Sequence, residues 1–206
     1  MQTWIQKITE GMPEVARQRR SVARGDYLFR HRQPAEALFI VVEGRVRMFR
    51  ELADGTAVTL HVAREGETFA EAALFATNYH CHALAELDTT VICLSTQELM
   101  SRLQTDAALG LELSRHLAHQ VRDLRAMVCL RDIRSADERL LNWLRQKADN
   151  KKMQTVLDRS WTAISQELGL TRETVYRSLA RLEELGLISR ERTEGGALES
   201  IQLRRN

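Results

Sequence analysis

WTAISQELGLTRETVYRSLARL, residues 161–182, reads as two amphipathic helices around a single glycine. Ile164 and Leu168 recur at helical spacing in the first half. Gly169 permits a tight turn, and Thr171 has the side chain of an N-cap for the second helix. Val175, Leu179 and Leu182 give that helix its inward face. Two helices joined by a short glycine-containing turn make a helix-turn-helix. In such a unit the second helix enters the DNA major groove and meets base edges with its N-terminal residues. Here those residues are Arg172, Glu173, Tyr176 and Arg177. Arginine offers a planar donor fork to guanine, and glutamate accepts from cytosine. Glu173 also suits the positive end of a helix dipole, so both roles stay open. Thr162, Ser165 and Thr174 are candidate phosphate contacts, with capping an equal account of each. Downstream of Gly186, residues 187–192 and 198–203 read as two short strands around Glu194-Gly195-Gly196, which would form a wing.

Working outward, charge supports this without proving it. The chain of 206 residues has a net charge of only +2. From Thr171 onward, however, it carries Arg172, Arg177, Arg181, Arg190, Arg192, Arg204 and Arg205, diluted by six glutamates. Local positive charge is what a phosphate backbone requires. At 44% hydrophobic and 28% charged residues the chain can build an ordinary core. Its three cysteines, Cys81, Cys93 and Cys129, are odd in number and widely spaced. That fits a reducing compartment rather than a disulfide framework. The first twenty residues lack the apolar core of a signal peptide, and no apolar run approaches the length of a membrane span. A cytoplasmic protein with no membrane partner is expected. There is no nucleophile–base constellation, no H-E-x-x-H and no P-loop, so an enzyme is not expected.

Residues 1–20 read as a short helical lead-in, carried by Trp4, Ile5 and Ile8. The run Leu38 to Val42 is a strand, followed by a turn at Glu43-Gly44 and a second strand from Val46 to Phe49. Asp54-Gly55 predicts a hairpin, and residues 90–94 a late strand. These short, turn-punctuated strands predict a β-sandwich or roll. A long helix follows between Thr105 and Arg134. Leu113, Leu117, Gln120, Leu124, Met127 and Arg131 step along it by fours and threes, the spacing of a coiled-coil seam. That predicts a homodimer along its central portion, with packing on its own domain as the alternative. Ser135 and Glu138 then form a capping box that opens a new helix. The expected division is 1–104 for the β unit, 105–134 for the helix and 135–206 for the DNA-binding unit.

With these parts in order, the chain resembles the cyclic-AMP receptor protein/FNR family of bacterial transcription regulators over nearly its whole length. Two stretches carry the resemblance. One is GLTRETVYRSLARL, residues 169–182, and the other is GETFAEAALF, residues 66–75, which is similar to the phosphate-binding cassette of the family's β-roll. The resemblance implies an α+β fold: an N-terminal cyclic-nucleotide-binding-like β-roll of jelly-roll type, a long dimerisation helix and a C-terminal winged helix-turn-helix. It implies double-stranded DNA and RNA polymerase as partners. The family's base-reading arginine, glutamate and second arginine fall on Arg172, Glu173 and Arg177. Their presence implies a palindromic site with TGTGA-like half-sites.

The sensing end departs from the pattern. By the resemblance the effector pocket falls on Gly66, Glu71, Ala72, Cys81, His82, Val121 and Arg122. Cys81 and His82 stand where the arginine and serine that hold the cyclic phosphate would be, and Val121 and Arg122 where the adenine contacts would be. Without that arginine a phosphate loses a strong bidentate contact, so cyclic-nucleotide binding is not expected. The clustered cysteines of an iron–sulfur centre are also missing. What remains is His80-Cys81-His82. Imidazole and thiolate are competent ligands for zinc, copper or haem iron, and His116 and His119 could add to them from the long helix. A thiol redox switch at Cys81, another small molecule, or no effector at all are the remaining expectations.

Overall fold

The computed structural model describes residues 2–149, 152–157, 159–192 and 199–204. The chain divides into two compact units between Val121 and Arg122. The first opens with helix α1 (Gln2–Thr9) and strands β1 (Arg17–Val22), β2 (Tyr27–Phe29), β3 (Ala37–Glu43) and β4 (Arg45–Glu51). Strands β5 (Ala57–Arg64) and β6 (Thr68–Phe69), a 3-10 helix (Glu71–Phe75) and strands β7 (His82–Ala85) and β8 (Thr89–Ser95) follow. Helix α2 (Thr96–Thr105) then leads to α3 (Ala107–Asp132), which runs through the division. The second unit adds α4 (Ala136–Lys147), β9 (Gln154–Val156), α5 (Trp161–Leu168), α6 (Arg172–Glu184), β10 (Ile188–Arg192) and β11 (Glu199–Leu203).

Two four-stranded antiparallel sheets, ordered β1-β8-β3-β6 and β2-β7-β4-β5, make the roll. Strand β3 explains its own unbroken apolar run. Phe39 and Val41 point into the roll, while Leu38 and Ile40 point out to a second core. Successive side chains on a strand face opposite ways, and here both faces are covered. The second core gathers Trp4 and Ile8 of α1, Leu99 of α2, and Leu109 and Leu113 of α3. Gly44 is more than a turn residue, because β3 and β4 lie in different sheets and the chain crosses between them there. Its φ is +91°, and a Cβ would lie 2.5 Å from the Asp88 carbonyl oxygen.

Several sequence expectations shift. Residues 17–20 belong to a strand, not to the helical lead-in, because β1 pairs with β8 from Arg17 onward. The long helix is preceded by a separate helix, α2, capped by Ser95, whose hydroxyl accepts from Glu98 N at 3.4 Å. Asp106 breaks the path and starts α3 by accepting from Leu109 N at 3.0 Å. The division between the two compact units falls within α3, and Leu130 is buried in the C-terminal core. The Asp54-Gly55 hairpin and the Ser135 cap stand where expected. The wing strands pair antiparallel, with β9 added on the other side of β11. Glu194-Gly195-Gly196 and Arg205 lie outside the described residues. Among the described residues no helix is long and apolar enough to cross a membrane.

The crossing at Gly44 gives a stability prediction. Gly44→Ala combines a left-handed backbone with a close approach to Asp88 and Thr89, and is expected to cost about 2–4 kcal/mol. Gly55→Ala, at φ +81° with nothing within 4 Å, carries the backbone penalty alone, about 1–2 kcal/mol. Equal urea midpoints for the two variants would show that the close approach does not matter.

Candidate nucleic-acid interface and sensing site

Helix α5 stops at Gly169, whose φ of 65° and ψ of 37° are left-handed. Leu170 N donates to Ser165 O at 2.9 Å and Gly169 N to Gln166 O at 3.3 Å, which closes the turn. The Thr171 hydroxyl accepts from Thr174 N at 3.1 Å and starts α6. Val175, Ser178, Leu179 and Leu182 are buried on one face of α6. The opposite face therefore presents Arg172, Glu173, Tyr176 and Arg177, all exposed. The Arg172 guanidinium lies 5.4 Å from the Tyr176 ring centroid, as an i,i+4 pair on the outer face. Arg177 donates to the Thr174 hydroxyl at 3.5 Å, and that hydroxyl also lies 2.8 Å from the one on Thr171. Thr162 is exposed on the first turn of α5. Ser165 is not available to phosphate: it is buried and donates to Thr162 O at 2.8 Å.

In the N-terminal unit, Glu71 is already engaged from within the protein. Its carboxylate accepts from the Thr68 hydroxyl at 2.5 Å and from His116 Nε2 at 2.8 Å. The ring of His116 stacks on Trp4 at 5.3 Å, and the Gln120 amide lies 3.1 Å from Nε2. Burial pushes the Glu71 carboxyl upward, but the hydrogen bonds from His116 and Thr68 outweigh it and hold its pKa below the usual value. His116 was noticed in the sequence only as a metal donor. Its pairing with Glu71 has no sequence signature, because the two are remote along the chain.

The residues assigned to the effector pocket differ in exposure and in their partners. Cys81 turns into the roll core beside Phe29, Phe39, Phe69 and Tyr79. Burial pushes its thiol up to about 11. His82, on the other face of β7, stacks on Phe49 at 5.1 Å and meets Tyr27 edge-on. Gly66, Ala72, Val121 and Arg122 are exposed, and Arg122 pairs with Asp123 at 3.6 Å. His80 and His119 are exposed as well. The His80, Cys81 and His82 donors therefore do not converge, and no group of three or more His, Cys, Asp or Glu able to hold a metal exists among the described residues. An open polar cleft of about 650 Å³, lined by Arg20, Asp26, Tyr27 and Arg30 among others, was not foreseen.

The positions expected on a dimer seam have varied surroundings. Leu113 is buried and Leu117 is packed in the domain's own core, Gln120 is bound to His116, and Met127 packs on the C-terminal core. Of the six positions on that spacing, Arg131 included, Leu124 alone is exposed, at 55%. With Val121 and Val128, at 45% and 59%, it forms an apolar stripe spaced by three and four.

Comparison with known proteins agrees with both ends of the chain. Residues 19–106 match the cyclic nucleotide-binding domain family, and residues 138–201 match the Crp-like helix-turn-helix domain family. The chain is 29% identical over 201 residues to the transcriptional activator protein anr of Pseudomonas aeruginosa, covering 94% of this chain and 82% of that protein. It is 28% identical over 176 residues to the cyclic AMP receptor protein of Thermus thermophilus, covering 83% and 79%. The solved structure of FixK2 from Bradyrhizobium japonicum superposes with a TM-score of 0.75 at 26% identity, covering 92% of this chain and 93% of that one. With a roll, a long helix and a Crp-like helix-turn-helix matched in order, the protein belongs to the cyclic-AMP receptor protein/FNR family of transcription regulators.

Proposed function

We propose that the protein is a cytoplasmic, sequence-specific regulator that binds a palindromic DNA site with TGTGA-like half-sites as a homodimer. One observation carries this reading: Arg172, Glu173 and Arg177 stand exposed together on the first turns of a helix whose other face is buried. The stripe of Val121, Leu124 and Val128 supports a second copy packing along α3. Two copies would present two recognition helices, and half-sites one helical turn apart would match them.

The signal in this reading is not cyclic AMP. The cyclic phosphate would meet Cys81 in place of an arginine, and Glu71 is bound by His116. A regulator with no effector is the second reading, favoured by that internal partner of Glu71. Haem, metal and thiol-redox sensing at His80, Cys81 and His82 are disfavoured by the divergence of the donors and by a thiol that stays protonated.

Arg172→Ala is expected to cost about 1–3 kcal/mol of binding to a TGTGA palindrome and to relax preference at one base. Gel-shift titration against single-base variants measures this, and equal binding of unaltered protein to cognate and scrambled DNA would refute the regulator. Leu124→Asp is expected to give monomers by analytical ultracentrifugation and to lose the palindrome; a stable dimer would place the interface elsewhere. Cys81→Ala should leave DNA affinity unchanged in reducing and oxidising buffer, while a redox-dependent difference abolished by the substitution would restore the thiol switch. Titration calorimetry with cyclic AMP is expected to show no binding, and binding that raises DNA affinity would sink the effector assignment.

A further inference from the structure

The last carbonyls of a helix have no partner within it, so what satisfies them decides how the helix ends. In α5 each of the last four is accounted for. Ser165 O and Gln166 O are taken by the backbone of the turn itself. The other two are taken by side chains from outside the helix-turn-helix. Arg131, in the last turn of α3, donates to Glu167 O through Nε at 3.2 Å and Nη2 at 2.9 Å. Arg139, on α4, donates through Nη1 to Leu168 O at 3.1 Å. The same Arg139 guanidinium donates to Ile133 O through Nε at 3.1 Å and Nη2 at 2.6 Å. One rigid fork thus spans the α3–α4 junction and the residue before Gly169.

We infer that Arg139, seconded by Arg131, is a positioning residue that sets where the recognition helix begins, by gripping the α5–α6 turn from the α3–α4 junction. This rests on the DNA-reading role proposed for α6. The fold of the unit does not depend on the grip, because its core is apolar and α5 is anchored separately. Glu167 accepts from Arg159 at 2.7 Å and from the Trp143 indole at 3.3 Å through its carboxylate, not its carbonyl. The grip controls the pitch of Gly169, Leu170 and Thr171, and Arg172 follows directly. Lysine cannot replace Arg139 in this role, because a point ammonium lacks the planar fork that holds two carbonyls at once.

The test uses the full chain with Arg139→Gln, Arg139→Lys and Arg131→Gln. Leu203→Ala, in the buried core of the same unit, serves as a stability control. Hydrogen exchange at the amides of residues 169–174 is read without DNA. The ratio of Kd for an altered half-site to Kd for the TGTGA palindrome is then read at temperatures giving equal folded fractions. Losing hydrogen bonds to a charged donor predicts roughly tenfold faster exchange in Arg139→Gln and a roughly tenfold smaller ratio. Arg139→Lys should recover thermal stability without recovering the ratio. Leu203→Ala should lower stability and leave the ratio intact. Unchanged exchange in Arg139→Gln overturns the inference with no reference to DNA. So does a ratio equal to that of unaltered protein, or an Arg139→Lys variant that restores it. A lack of site preference in the unaltered protein is a separate failure, that of the base-reading assignment, because exchange still reports the grip.

Discussion

A single rod has to serve two cores. Helix α3 commits Leu109 and Leu113 to the N-terminal unit and Leu130 to the C-terminal one. The phase of an α-helix is fixed by its geometry, so burying Leu109 and Leu113 also sets which way the residues of the next turn face. The stripe of Val121, Leu124 and Val128 is the face that neither core uses. The position of His116, and with it the engagement of Glu71, is set by the same phase. The burial of Leu113 and the capture of the Glu71 carboxylate by His116 thus have one cause.

That cause also explains what could be read from the sequence. The helix-turn-helix was legible because its determinants are local: a glycine with positive φ, a threonine cap, and an apolar face within one helix. The exposed quartet of Arg172, Glu173, Tyr176 and Arg177 followed from that face by subtraction. The seam on α3 was half legible. Its spacing was visible, but a run of alternating threes and fours does not say which core each residue enters, and it did not single out Val121 and Val128, which are exposed beside Leu124. Helix α2 was missed although Ser95 and Glu98 form a start signal, because the signal abuts a strand with no intervening turn residue. Strand β1 was missed because its residues are almost all polar, as an edge strand exposed at every residue but Val22 permits.

At the sensing end the sequence showed which family residues were absent, but not what had taken their place. Glu71 keeps the family's identity at its position and changes its company. Its partners, Thr68 and His116, come from a strand end and a remote helix, and Trp4 closes over the imidazole from the first helix. Buried charge of this kind persists only where its hydrogen bonds are complete. A motif match at one residue therefore said little about its chemistry, which lies in contacts brought together by the fold.

The interior of the roll has a bearing on how such regulators change their signals. Phe29 lies face to face with Tyr79 at 3.7 Å between centroids, Phe39 stacks on Phe69 at 5.0 Å, and Cys81 sits among them. An arginine at position 81 would set a long cation in this apolar, ring-filled core. Any lineage moving from this interior to a nucleotide-filled one would first have to shrink aromatic side chains and accept a less stable roll. The arginine could follow only afterwards.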